Sequence, residues 1–496
     1  MAIKSKLIFS YLAQFYVVFL TIYVAPKYIK YLGMDFYGLI GFFTIAQVWM
    51  QLLDFGSTGL ISRESAKVRY GSLDRKLFSR LFSVVEKYFF FTAVTLIACV
   101  FLFQNKVSKL FFNNSINYLE DDHKAIVYLL ITVVLRWVSG LYRSHINGSE
   151  EISWISLFNI ISGTFRTLFS LFLIIFYKFT AADFFLYQII LGVIELLIIY
   201  EKSNSLDAKN SKSLLTSFEN YYVVDRLKFA LKLAFSGFIW IVLTQLDKLY
   251  LSSVLSLKEF GILSVALTIS NGIYLLTNPI GNIALTRMTS VYDEKEKLIH
   301  IYELAFQFLV VIIFPVSLCI ILFSKELIYI WLGDSDIAMQ ASKITSLYVI
   351  GNFFMIGMAY VSYLQISAGR LRYHIIGEIA YFFAIVPSFL FAGQNYGMLG
   401  VGYVWALYNG IYFLIWSSVI HRKFLGNFHA KWMIKQVLPP VLIVSFVLLA
   451  IKINIELPND RAGSAIYLTL ITLLLSIIGV LTSTKIKFTI KQFLSK

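Results

Sequence analysis

The sequence predicts an all-α polytopic membrane protein, with about fourteen transmembrane helices arranged as two six-helix bundles plus two C-terminal helices. Three observations predict it. Of 496 residues, 58% are hydrophobic, enough for about fourteen spans of ~20 residues. The apolar runs are 17 to 26 residues long and are separated by short polar connections. One stretch also occurs twice: Phe36 to Arg63 returns, altered, 224 residues later as Phe260 to Arg287.

In chain order the spans fall near 7–26, 36–56, 81–103, 125–142, 152–177 and 181–200, then 229–254, 260–285, 301–323, 343–364, 374–393 and 399–420, with a last pair near 437–453 and 462–483. Residues 1–200 form an N-terminal lobe and 229–420 a C-terminal lobe, joined by the charged connection 201–228. Residues 421–496 supply two extra helices and a basic tail. The first span has no small-residue cleavage site and should stay. With six spans per lobe, both lobes enter the membrane in the same sense, as parallel repeats related by a pseudo-two-fold axis along the membrane normal.

Lysine and arginine fix the orientation. With both termini cytoplasmic, 27 of the 43 lie on the cytoplasmic side, 11 on the opposite side and 5 within spans. The net charge of +15 is therefore topology and contact with anionic lipid, not a nucleic-acid surface. Cys99 and Cys319 both sit inside spans and cannot form a disulfide framework. There is no phosphate-binding loop of the GxxxxGK[ST] type, and the six histidines lack zinc-site spacing. No cofactor is expected. Asp334 and Asp336 imitate an acid pair, but after Gly333 they read as a solvated turn.

The repeated stretch carries a polar stripe. At 100° per residue, Thr44, Gln47, Gln51, Asp54 and Thr58 share one arc of about 80° on a continuous helix. The second copy has Thr268, Asn271, Leu275, Asn278 and Asn282, and Arg63 recurs as Arg287. A duplicated hydrophilic face implies two halves lining a wet cleft, as in secondary transporters. The plainer reading is that such side chains join neighbouring helices.

Five basic residues fall within spans, and each costs about 3 kcal/mol at the bilayer centre. Lys87 and Lys232 lie close enough to a cytoplasmic end to snorkel. Arg166 is mid-span, and Asn159, Ser162, Arg166 and Ser170 share a helical face. Arg136 reaches either this cleft or the interface. Lys248 adjoins Asp247, so it is either an internal ion pair or part of a site. Asp54, Asp247 and Glu195 are candidate proton or Na⁺ sites, Glu195 sharing a face with Gln188. Glu86 next to Lys87 reads as structural. The substrate-binding candidates are thus Arg166, Arg136, Lys248, Arg63 and Arg287: a cationic cleft suited to an anionic head group.

Five segments resemble a known family: YLGMDFYGLIGFFTI from Tyr31, LDFGSTGLISRESA from Leu53, LYRSHINGSEEISWISLFNIISGTFR from Leu141, LTQLDKLYLSSVLSLKEFGILSVA from Leu243 and IWLGDSD from Ile330. They are similar to the polysaccharide-transport flippases, the O-antigen flippase branch of the multidrug/oligosaccharidyl-lipid/polysaccharide exporter superfamily. The resemblance implies the MATE-like fold of that superfamily in a bacterial inner membrane. It also implies alternating-access export of polyprenyl-pyrophosphate-linked oligosaccharide, with the lipid tail in or beside the bilayer and against the last two helices. Membrane lipid, a proton or Na⁺, and other polysaccharide-assembly membrane proteins are the further partners. A multidrug or cation antiporter of the same superfamily is the alternative of like fold, and its cavity should favour acids and aromatics. A membrane glycosyltransferase or polymerase would need a large outer loop with catalytic acids, and no outer loop exceeds about 22 residues.

Overall fold

The structure, a computed structural model, describes residues 3–111, 120–206, 217–458 and 460–486. The middle of the predicted 201–228 connection, the basic tail past residue 486 and the glycosylation-like Asn113-Asn114-Ser115 lie outside the described residues. Every regular element among the described residues is a helix. The chain forms two compact units, Met1–Gly261 and Ile262–Lys496.

The first unit contains α1 (Ile3–Met50), a 3₁₀ turn (Gln51–Asp54), α2 (Ser57–Arg69), α3 (Arg75–Phe111), α4 (Glu120–Gly148), α5 (Ile152–Thr164), a π-turn (Phe165–Phe169), α6 (Ser170–Tyr177), α7 (Ala181–Leu206) and α8 (Ser217–Val254). Helix α9 (Leu257–Ser290) begins at its end. The second unit continues with α10 (Lys295–Phe308), a π-turn (Leu309–Ile313), α11 (Phe314–Leu322), α12 (Ser324–Leu332), α13 (Ser335–Ser367) and α14 (Arg372–Phe424). It closes with α15 (His429–Trp432), a π-turn (Met433–Val437), α16 (Leu438–Asn454) and α17 (Arg461–Thr482).

Eleven of the described helical segments are long and apolar enough to cross a bilayer. Two of these are of double length, 47 and 53 residues, and are interrupted at Gly33 (φ 85°) and Gly397 (φ 57°). Both glycines lie between spans read separately from the sequence, and both adopt a left-handed backbone that suits glycine. Adding α8, with 38 residues, the set is consistent with fourteen crossings.

Proline explains two of the three π-turns. Pro315 follows the one at Leu309–Ile313, and Pro439 and Pro440 follow the one at Met433–Val437. A proline lacks the N–H for an i→i−4 bond and crowds that carbonyl, and a wider turn absorbs the misfit. The π-turn at Phe165–Phe169 has no proline, so its cause lies in its neighbours.

Each unit buries its own core. In the first, Leu60, Ile61, Phe78, Leu81, Phe89, Trp137, Leu141 and Ile146 pack together, with Phe89 stacked on Trp137 at 4.2 Å between centroids. Gly56 lets α2 approach α8: a side chain there would collide with the carbonyl of Ala230. In the second unit, Tyr302, Phe306, Phe413 and Trp432 sit at the core. The last helix pair packs on α11 through Cys319, Val444, Leu448, Leu468 and Leu475. Two cations cap consecutive helix ends there. Lys452 Nζ donates to Leu322 O at the end of α11 (2.6 Å), and Arg461 donates to Ile330 O (2.5 Å) and Trp331 O (3.2 Å) at the end of α12.

Candidate functional site

The polar stripe expected on one continuous helix does not run on one. Helix α1 stops at Met50; Gln51–Asp54 wind as a 3₁₀ turn, and Phe55 and Gly56 are left-handed at φ 46° and 75° before α2 begins. The cause is local. Asp54 accepts from Gly56 N (2.7 Å) and Thr58 Oγ1 (2.5 Å), tying down the backbone where α2 starts. Thr44 and Gln51 are exposed, while Gln47 and Asp54 are half-buried. The break and α8 enclose a cavity of about 390 Å³ lined by Gln51, Asp54, Phe55, Leu231, Phe235 and Phe238. Both oxygens of Asp54 thus have a local structural task.

The second copy of the stretch lies on one helix, α9, which runs through Pro279 without a break. Asn271, Asn278, Asn282 and Arg287 are exposed on it, and Thr268 is half-buried. Arg63 is also exposed, with its guanidinium 4.5 Å from the Phe229 ring centroid. Lys248 and Asp247 form a buried pair at 3.0 Å, and Lys248 also donates to Thr244 O at 2.6 Å. Lys87 is exposed, and its neighbour Glu86 accepts from Tyr142 at 2.8 Å.

The densest charge in the first unit is on α4, α5, the π-turn and α7. Arg166, read from the sequence as an open cation, grips Glu195 with two donors: Nε to Oε1 at 2.5 Å, and Nη2 to Oε2. Glu195 is therefore Arg166's counter-ion and not a separate acid. Arg143 approaches the same carboxylate at 3.9 Å and donates to Asn159 Oδ1 at 2.6 Å. Arg136 is electrostatically coupled to Arg166, Glu195 and Arg143, and its guanidinium lies 4.7 Å from the Phe43 ring centroid, which settles its direction inward.

Two guanidinium groups thus share one carboxylate, and Arg136 adds a third cation within their field, a surplus of two positive charges. Three buried donors find no acceptor: Arg136 Nε, Arg166 Nη1 and Gln47 Nε2, the last one helical turn beyond Phe43. One acceptor beside them, Gln188 Oε1, also lacks a donor, so the unpartnered donors outnumber the unpartnered acceptors. The Arg143 side chain keeps 28% of its surface exposed, which leaves the centre open along that edge.

The π-turn positions Arg166, and its carbonyls explain why it forms. Wider winding frees backbone acceptors, and three successive ones are met from other helices. Tyr187 donates to Phe165 O, Gln188 Nε2 to Arg166 O and Tyr28 to Thr167 O, each at 3.0 Å. The extra residue in the turn also corrects the expected face. Asn159 binds Arg143 and Ser162 is half-buried on α5, whereas Ser170 turns to Tyr28, at 2.5 Å.

Sequence reasoning placed Arg143 among the loop charges and so missed it. The signal was present: Arg136 and Arg143 are seven residues apart, two turns on one face of α4. Two histidines expected at span ends are buried. His145 pairs with Ser203 (2.8 Å), and His421 with Tyr302 (2.7 Å) and His429 (2.8 Å). No group of three metal-ligating side chains occurs among the described residues. In the second unit one interior hub is neutral, Asn352 donating to Ser270 O and Asn271 Oδ1, both at 3.2 Å, and accepting from Trp405 Nε1 at 3.0 Å, while the buried Glu303 pairs with Lys485 at 2.8 Å and accepts from Gln436.

This architecture is that of an all-helical polytopic membrane protein. The structure of "Lipid II flippase MurJ, inward closed conformation" is similar to it with a TM-score of 0.72 at 18% identity, over 95% of this chain and 98% of that one. An inward-facing multidrug resistance MATE family transporter of the MOP superfamily gives 0.65 at 13% identity, over 82% and 94%. A MOP superfamily transporter from Pyrococcus furiosus, described as having a binding pocket of reverse polarity, gives 0.57 at 13%, over 85% and 96%. No curated protein matches the sequence. The family model "Polysaccharide biosynthesis protein" matches residues 32–339, more than half of the chain, and the chain belongs to that family. The chain thus has the fold of these transporters and belongs to a polysaccharide biosynthesis family.

Proposed function

We propose that the protein is a flippase for lipid-linked oligosaccharide, carrying polyprenyl-pyrophosphate-linked glycan units of a surface polysaccharide such as O-antigen from the cytoplasmic to the outer face of the inner membrane by alternating access. The observation that carries this reading is the buried surplus of positive charge around Arg136, Arg143 and Arg166, with unsatisfied donors beside it. A diphosphate diester bears two negative charges and several acceptors, which matches both the surplus and the missing partners. Membership of a polysaccharide biosynthesis family and a fold shared with a lipid II flippase support the same substrate class.

The rows of Thr44, Gln47 and Gln51 and of Thr268, Asn271, Asn278 and Asn282 offer hydroxyl and amide groups to the glycan, and the apolar outer faces of α16 and α17 suit the lipid tail. The bias of lysine and arginine supports cytoplasmic termini. The antiporter reading is weaker because the interior surplus is positive, which repels a cationic drug.

The test is genetic and chemical. Cells lacking the protein should accumulate the lipid-linked oligosaccharide on the cytoplasmic leaflet and lose surface polysaccharide. The wild-type gene should restore export, and an Arg166→Ala variant of equal abundance should not. Unchanged export in the deletion strain would overturn the reading.

A further inference from the structure

We infer that Glu195 is a resident anion: it holds the seat on Arg166 that the substrate diphosphate takes, and it reclaims that seat to expel the substrate. This inference rests on the flippase reading.

Four features carry it. Glu195 meets Arg166 in the two-point geometry by which a guanidinium also holds a phosphate, so carboxylate and phosphate compete for the same donors. Arg166 still has Nη1 unsatisfied and Arg136 has Nε unsatisfied, so a diphosphate at this place gains acceptor contacts that Glu195 alone leaves unmade. Glu195 has somewhere to go: Arg143 is 3.9 Å from its Oε2, anchored by Asn159 at 2.6 Å. The charges also balance. Three arginines offset one carboxylate and one dianionic diester.

The consequence is a centre that binds its ligand less tightly than its arginines allow. A buried triple arginine would hold a diphosphate too long for transport; an intramolecular competitor tethered beside it returns at high effective concentration whenever the ligand loosens. Such a device lowers affinity and raises turnover. A Glu195 that only fastened the π-turn to α7 would support both together.

The two roles separate in one experiment on the full-length protein in phosphatidylcholine nanodiscs and liposomes. The probe is a synthetic farnesyl methyl diphosphate, a dianionic diester, with a fluorescent analogue for translocation. Wild type should bind it, and Arg166→Ala should lose binding at least 10-fold. Glu195→Gln should bind at least 10-fold more tightly yet translocate at least 10-fold more slowly. Glu195→Asp, which keeps the charge but draws it back by one methylene, should fall between wild type and Glu195→Gln in both measurements and guards against a misfolded amide variant.

Weaker or unchanged binding in Glu195→Gln and Glu195→Asp, or translocation that does not fall when binding tightens, overturns the exchange while leaving the flippase reading intact. Failure of wild type to bind the diester, or equal binding by Arg166→Ala, overturns both.

Discussion

The interiors of the two units are built on different polar chemistry. In the first, several arginines gather round one carboxylate at a widened helical turn; in the second, each interior carboxylate has one basic neighbour, Glu303 with Lys485 and Glu378 with His374, and a neutral amide, Asn352, joins α13 to α9 and α14 through Ser270, Asn271 and Trp405. The repeated stretch differs likewise, broken at Gln51–Gly56 in one copy and continuous through Pro279 in the other. A charged interior is costly to bury and costlier to half-dismantle, whereas a neutral one tolerates loss. The difference teaches that a cluster of buried arginines is confined to the first unit, while the repeated stretch keeps its polar side chains in both.

The comparison is most exposed at Arg166. Arg166→Met leaves Glu195 buried without its main partner and should cost about 3–5 kcal/mol of stability. The double change Arg166→Met with Glu195→Leu should recover part of that loss, since Arg143 and Arg136 then lack their carboxylate, without recovering export. Thermal melting in detergent beside an export assay reads both, and a double variant no more stable than the single would break the contrast. In the second unit, Asn352→Leu strands the Trp405 indole N–H and should cost about 1–3 kcal/mol. Export should then fall only in proportion to protein abundance, and a specific transport defect at normal abundance would show that the neutral hub also handles substrate. The smallest effect belongs to the break at Gln51–Gly56. Asp54→Ala removes the acceptor for Gly56 N–H and the Thr58 hydroxyl at the turn and should cost about 1 kcal/mol, while Asp54→Asn, which keeps an acceptor for Gly56 N–H, should be near neutral in melting temperature.

Much of this was legible in the sequence. Length and spacing of apolar runs gave the spans, and Gly33 and Gly397 interrupt double-length helices where the sequence separates two spans. Arg166 stood out because a mid-span arginine is rare. Its partner did not, since nothing in a linear pattern brings positions 29 residues apart into contact. Periodicity also failed at two places for one reason. It assumes 3.6 residues per turn, but at Gln51–Gly56 a carboxylate redirects the backbone, and at Phe165–Phe169 hydroxyls and an amide from α1 and α7 pull the carbonyls outward. Tertiary partners override the repeat, and the repeat does not name them. Arg143 was set aside because counting charges for topology treats a basic residue near a helix end as belonging to the loop, although its neighbour in the fold is Asn159.

The winding at Phe165–Phe169 has a further consequence for how this chain tolerates length changes. A π-turn is in effect one surplus residue stored in a helix, so removing Leu168 would let the rod rewind regularly while the helical segments on either side keep their register. A single in-frame deletion of an apolar residue, harmless to hydropathy, would thus draw the carbonyls met by Tyr187, Gln188 and Tyr28 back into the helix and retune the grip on Glu195, so that this span is fixed in length as well as in sequence.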